Sequence, residues 1–182
     1  MSKIKVLTLV GGIAKGSINK KLFISIKKIA PENLVFTDFD IASLPFYSQD
    51  LEENPPKEVV QLKKLISESD GILFITPEYN RSIPGVLKNA IDWASRPREK
   101  NPWNKKRAAV LGMSPGNPGT MSAQQHLRFI LNCLNIQVLA QPEVYLKYSE
   151  TLNDDGEFAS EKTKEFILKF LKGFSDFISR PS

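Results

Sequence analysis

One cysteine, Cys133, stands among the 182 residues of this chain, so no internal disulfide can form, and a reducing, cytoplasmic setting is expected. The apolar neighbours Ile130, Leu131 and Leu134 suggest that this thiol is buried packing material. There is also one histidine, His126, and no orienting partner for it can be identified from the sequence. A Ser-His-Asp set, a Cys-His pair and a metal-ligand spacing are all missing, so no metal is expected. No apolar run approaches the roughly 20 residues of a membrane helix, so no membrane span is expected. The start MSKIKVLTLVGG is basic and briefly apolar but lacks a small-residue cleavage site, and it reads as a first strand. Repeats, linkers and low-complexity blocks are absent, which leaves a single domain over residues 1–182. The formal charge is +5, yet the basic residues are scattered and no aromatic-interleaved basic motif occurs. Nucleic acid is therefore not the expected partner. A modest positive field suits a phosphorylated cofactor or an anionic substrate.

What is present is an alternation of apolar runs and amphipathic stretches, organised around residues 71–93. Ile72-Leu73-Phe74-Ile75 is an unbroken apolar run, as in a strand buried on both faces. Pro77 ends its ladder, because proline has no amide hydrogen. The loop Glu78-Tyr79-Asn80-Arg81-Ser82 follows, and Pro84 then opens a helix whose apolar face is Val86, Leu87, Ala90, Ile91 and Ala94. The loop thus lies between the carboxyl end of a buried strand and a helix start, where ligands bind in open α/β sheets. A flat ring, an amide, a hydroxyl and free helix-start amides suit a planar heteroaromatic ligand with a polar edge.

Two further strand ends carry loops of this kind. Residues 4–10 read as the first strand, followed by the glycine-bearing turn 11–19 and a helix over 20–30. Such a turn offers outward amides and the positive end of a helix dipole to an anion. It is neither a P-loop nor a Gly-x-Gly-x-x-Gly turn. Residues 107–113 read as the fourth strand, ending in the small-residue loop 114–120, where a flat ring can approach the backbone closely. The remaining elements are a strand over 33–39, a long connection over 41–56, a helix over 57–67, a polar loop over 96–106, a helix over 121–134, a fifth strand over 137–140 and a helix over 161–178. On the last of these, Phe166, Ile167, Phe170, Leu171, Phe174 and Phe177 are expected to face inward. Five alternations of strand and helix argue for an α/β, flavodoxin-like fold. The expected sheet is five-stranded and parallel, in order 2-1-3-4-5, with helices on both faces and the ligand at the switch point between strands 1 and 3.

Pro77-Glu78-Tyr79-Asn80, then Ser82-x-Pro84-Gly85-x-Leu87-Lys88-Asn89-Ala90-Ile91-Asp92-Trp93, resembles the signature of the NADPH-dependent FMN reductase family, which includes flavodoxin-like quinone reductases and azoreductases. The resemblance implies FMN as cofactor and NADPH or NADH as co-substrate. It implies contacts from Pro77, Glu78, Tyr79, Asn80 and Ser82 to the flavin. The FMN phosphate of that family sits on the first loop, where Gly11, Ser17 and Asn19 match. Gly12 replaces the usual Ser and Ala14 the usual Arg, and Lys15 is the adjacent cation. In the third loop Ser114, Gly116 and Gly119 match the family's flavin-ring contacts, while Thr120 departs from a second Gly. Gln124, Leu127 and Arg128 echo the family's Gln-x-x-Leu-Arg.

The function implied is ping-pong transfer of two electrons from NAD(P)H through FMN to a quinone, an azo compound or a similar small-molecule acceptor, in a homodimer or homotetramer. No protein side chain is required as catalyst, because the flavin N5 carries the hydride. Three alternatives share the fold: an FMN reductase releasing reduced flavin to a partner, a flavodoxin-type electron carrier, and a non-catalytic binding protein.

Overall fold

The computed structural model describes residues 3–181. The domain expected over residues 1–182 thus includes residues 1, 2 and 182, which lie outside the described ones.

The strands are β1 (Ile4–Val10), β2 (Leu34–Asp38), β3 (Gly71–Ile75), β4 (Arg107–Ser114), β5 (Gln137–Val138) and β6 (Val144–Lys147). Among the described residues these strands pair only in parallel, in the order β2-β1-β3-β4-β5, with β6 also on β4. The helices are α1 (Ile18–Ile29), α2 (Lys57–Glu68), α3 (Gly85–Ala94), α4 (Met121–Cys133), the single turn α5 (Tyr148–Thr151) and α6 (Glu161–Ser179). Alternate residues of each central strand enter two separate apolar layers, as the pleat dictates. Leu7, Ile72, Phe74 and Val110 pack with Leu62 of α2, Leu87 and Ile91 of α3 and Leu127 of α4. Val6, Leu73, Ile75 and Leu111 pack with Leu22 and Ile26 of α1 and Phe170 and Phe174 of α6. The expected strand order and two-faced helical cover are both present.

The register decides where the loops emerge. Val10 lies opposite Ile75, and Ile75 opposite Leu111, so β1 and β3 release their loops at the same height, whereas β4 runs on beside β6 to Ser114 before releasing its loop at the same carboxyl end of the sheet. Buried Asn19, in the first turn of α1, adds a tie across them. Its side chain donates to the Met113 carbonyl and accepts from the Met113 amide, both at 2.9 Å.

Three expectations need correction. The fifth strand is not one run over 137–140: β5 pairs the first half of β4 and β6 the second, with an excursion between them. Pro142 in that excursion lacks the amide a ladder needs. Helix α4 holds both sides of the break. Arg128 donates to the Leu139 carbonyl at 2.9 Å, and Gln124 donates to that of Val144 at 2.7 Å. Cys133 is exposed rather than buried. Helix α4 turns Ala123, Leu127 and Leu131 inward, and two residues past Leu131 is roughly 200° round the helix. Phe166 also points outward, because it precedes the buried stripe of Ile167, Phe170, Leu171 and Phe174. Trp103, in contrast, is wholly buried, donates to the Ile91 carbonyl at 3.1 Å and leans on Phe74.

Asn19→Ala would leave the Met113 N–H and C=O without partners in a buried setting. The expected loss is about 2–4 kcal/mol of unfolding free energy, read by urea titration, since each stranded polar group costs about 1–3 kcal/mol. A loss below about 0.5 kcal/mol would mean that the two ends are held by something else.

Candidate functional site

The loops after β1 and β3 touch at Gly11. Its amide donates to the Ile75 carbonyl at 2.8 Å. A side-chain carbon at residue 11 would lie 3.2 Å from Pro77 and 3.3 Å from Pro84. Glycine is thus the residue that lets these turns close on each other.

The second loop is a short hairpin. Tyr79 and Ser82 exchange backbone hydrogen bonds of 2.9 and 3.0 Å, with Asn80 and Arg81 between them at φ 51° and 65°. Positive φ at both central residues is the type I′ arrangement, which favours Asn and Gly and is costly for Arg. Helix α4 secures it twice. The Glu78 carboxylate accepts from the Ala123 amide at 3.0 Å, capping the first turn of α4, and pairs with Arg81 at 3.9 Å. The Ser82 hydroxyl meets His126 Nδ1 at 2.8 Å. The hairpin thereby presents a half-exposed Tyr79 ring.

In the third loop the Ser114 hydroxyl donates to the Gly119 carbonyl, and Gly119 adopts φ +62°. A Cβ at 119 would sit 2.8 Å from the Leu146 amide nitrogen, so no other residue fits without displacing β6. In the first loop Ser17 caps α1, accepting from the Lys20 amide at 3.3 Å. The Lys20 ammonium returns over the loop to the Ile13 carbonyl at 3.1 Å.

These loops present one kind of chemistry in common. Among the described residues, the amides of Gly12 through Gly16, of Asn80 and Arg81, and of Gly116 and Asn117 donate to no protein acceptor. Unpaired amides at the start of a helix suit a phosphate, and those on the other two turns suit the carbonyl-rich edge of a flat ring. The residues present therefore fit FMN. The candidate side chains divide into two groups. Lys15 and Tyr79 are exposed and Ser17 and Ser82 half-buried. Asn19, Glu78 and Ser114 are engaged with the protein and shape the loops.

The connection over 41–56 is anchored by two residues of the 77–93 signature. Asn89 accepts from the Tyr47 amide at 2.8 Å and donates to the Pro45 carbonyl at 2.9 Å. Trp93 donates to the same carbonyl at 2.8 Å and meets the Tyr47 ring edge-on. Glu52 accepts a hydrogen bond from the Tyr47 phenol and raises its pKa above the ordinary tyrosine range. Tyr47 therefore folds back onto the core. Phe46, between the two anchored residues, is 84% exposed. Sequence reasoning placed Asn89 and Trp93 in a motif but did not assign this task. It also missed Lys20 and the bond between Ser82 and His126. Lys20 was detectable in principle, as a cation in the first turn of a helix, where cations are unfavourable.

A basic cleft of about 650 Å³ lies at the opposite end of the sheet, lined by Lys3, Lys105, Lys106 and Arg107 among others. Two of these cations, Lys106 and Arg107, are engaged with the protein. Lys106 donates to the Ser67 and Ser69 carbonyls at the end of α2, and burial pushes its pKa down. Arg107 donates to the carbonyls of Ile178, Arg180 and Pro181 at the end of α6. Cations at helix C-termini are a structural arrangement, so this cleft is not the candidate site.

Comparison with known proteins agrees with this geometry. The sequence profile of the NADPH-dependent FMN reductase family matches residues 4–151. A 2-hydroxy-1,4-benzoquinone reductase from a Burkholderia species is 40% identical over 176 residues, 96% of each chain. A quinone reductase from Pseudomonas putida is 37% identical over 174 residues, covering 95% of this chain and 94% of the relative. The solved structure of the flavoenzyme NAD(P)H:(acceptor) oxidoreductase FerB from Paracoccus denitrificans superimposes with a TM-score of 0.91 at 42% identity, covering 96% of this chain and 97% of the other.

Asn89→Ala would release the backbone on both sides of Phe46. Chymotrypsin should then cut after Phe46 or Tyr47 at least about 10-fold faster than in the parent protein, because local opening governs cleavage. Equal rates in mass-spectrometric time courses would show that Trp93 alone anchors the segment.

Proposed function

The chain belongs to the NADPH-dependent FMN reductase family, and from that premise we propose that it is an FMN-dependent NAD(P)H oxidoreductase acting on quinones and similar acceptors. The observation that carries this reading is the convergence of three strand-end loops, each with unpaired backbone donors, at one edge of the sheet. When bound, FMN supplies the redox chemistry, accepting a hydride from NADPH or NADH and delivering two electrons to the acceptor, with the two substrates alternating in ping-pong order.

The chain's own residues bind and orient. The amides of Gly12 to Gly16, with the Ser17 hydroxyl, hold the phosphate, and exposed Lys15 adds only the long-range attraction of its charge. The Asn80 and Arg81 amides donate to the polar rim of the ring, where added negative charge is stabilised by fixed donors. Tyr79 flanks the ring or the second substrate. Pro77 and Gly11 set the spacing between the first two loops. Ser82 is held in position by His126. Gly116 and Gly119 keep the third loop low enough for close approach of a flat group. Asn19, Glu78 and Ser114 position these loops from behind.

The protein works as a single domain, and we place it in the cytoplasm, since its lone thiol suits a reducing compartment. It assembles as a homodimer or homotetramer. The apolar side chains of Phe46 and Phe129, 84% and 76% exposed, are surface that a second copy would cover. Among the described residues no helix is long and apolar enough to cross a membrane.

The purified protein should carry or take up FMN, giving a flavin absorbance band, and should oxidise NADPH or NADH with a benzoquinone as acceptor. Varying both substrates should give parallel double-reciprocal lines. Intersecting lines would remove the ping-pong order. A protein that neither binds FMN nor consumes NAD(P)H when FMN is added would remove the whole proposal.

A further inference from the structure

The first loop lacks two side chains that the related motif supplies, a hydroxyl at position 12 and a guanidinium at position 14, where Gly12 and Ala14 stand. We propose that Lys20, reaching back from the first turn of α1, supplies the phosphate-binding cation, and that the Ser17 hydroxyl takes the space a residue-12 side chain would fill. This inference rests on the reading of the loop as the cofactor's phosphate site.

Three observations support it. The Lys20 ammonium already lies on the loop, donating to the Ile13 carbonyl at 3.1 Å. An ammonium has three N–H donors, so two remain for an anion. Lys15, the cation nearest in sequence to position 14, is exposed and has no hydrogen-bond or ion-pair partner among the described residues, so nothing holds it over the loop. Second, a Cβ built on Gly12 would overlap the Ser17 hydroxyl. Ser17 is the α1 cap, accepting from the Lys20 amide, so hydroxyl and ammonium are placed by the same turn. Third, the charge arrangement is unfavourable as it stands. The first turn of α1 contains no acidic residue, yet Lys20 and Lys21 stand at the positive end of the helix dipole, just after Lys15. No carboxylate pairs with Lys20 among the described residues. A dianionic phosphate monoester held between the Gly12–Gly16 amides and Lys20 relieves this conflict.

The test compares FMN with riboflavin, which has the same ring and no phosphate. Each is titrated into apoprotein by flavin-fluorescence quenching. The parent protein should bind FMN more tightly than riboflavin. Lys20→Met should weaken FMN by about 10- to 100-fold, the range for loss of a hydrogen bond to a charged group, and leave riboflavin within about 3-fold. Lys20→Arg should retain most of the FMN affinity. Ala14→Arg added to Lys20→Met should recover part of it, since the cation then returns from the loop position. Circular dichroism checks that α1 persists in each variant. Lys20→Met with parent-like FMN affinity would overturn the inference, as would equal losses for FMN and riboflavin. A loss of FMN confined to Lys15→Met would assign the cation to Lys15 and overturn it too. If the parent protein binds FMN and riboflavin equally, the reading of the loop as a phosphate site fails first. If the parent discriminates and Lys20→Met does not alter that preference, only the role of Lys20 fails.

Discussion

Parallel pairing in a single register is the constraint on which the rest of the structure depends. Val10, Ile75 and Leu111 lie side by side in strands that run the same way, so β1 and β3 end at one level, β4 ends three residues beyond it, and all three loops share the carboxyl edge of the sheet. Parallel strands require crossover helices, and the helices begin where these loops end. Every amide at a helix start that lacks an intrahelical partner is therefore delivered to the same edge. The ligand surface follows from topology before any particular side chain is considered. Side chains then determine how closely the loops approach. Gly11 lets Pro77 and Pro84 close in, Asn19 ties α1 to the end of β4, and Glu78 and Ser82 bind the hairpin to α4.

Much of the signature over residues 77–93 works by holding structure. Asn89 and Trp93 both fix the Pro45 carbonyl, and Gln124 and Arg128 secure the two sides of the broken fifth lane. Apart from the exposed bond from Asn89 to Pro45, these are buried or partly buried polar contacts to backbone, where loss of one partner strands the other. A motif of this kind is demanding because each polar residue satisfies a specific carbonyl or amide that the fold leaves open. The groups that would meet a ligand are mostly backbone amides, which any sequence with the right turns could provide. Sequence patterns thus point to the site through the residues that build its walls.

This explains which features were legible beforehand. Strand runs such as Ile72–Ile75 and helix faces such as Leu22, Phe23 and Ile26 follow directly from the period of the apolar residues, and so do the positions of the three loops, whereas the sheet order comes from the flavodoxin-like arrangement that such an alternation matches. Where side chains make tertiary contacts of no regular period, the sequence is silent. Nothing near Tyr47 indicates that it turns inward and Phe46 outward, because that choice is made by Asn89, 42 residues from Tyr47. The division of the fifth strand depends on Gln124 and Arg128, which precede it on another element. Cys133 was misjudged for a local reason. Its apolar neighbours Ile130, Leu131 and Leu134 do border the core, but a helix changes face within two residues.

The positive charge of the chain is distributed between two functions by helix polarity. At the amino ends of the strands, Lys106 and Arg107 face helix C-termini and bind their carbonyls, so their charge sits at the negative end of the helix dipoles. At the carboxyl ends the helices present their N-termini, and Lys15 and Lys20 add positive charge to positive dipole. The first arrangement stabilises the fold alone, whereas the second is unfavourable without an anion. A uniform +5 charge would say little about function. Its opposition to the dipole at one end only is what a phosphate site at that end requires, and the same opposition explains why the larger basic cleft at the other end has no free cation to offer a ligand from Lys106 or Arg107.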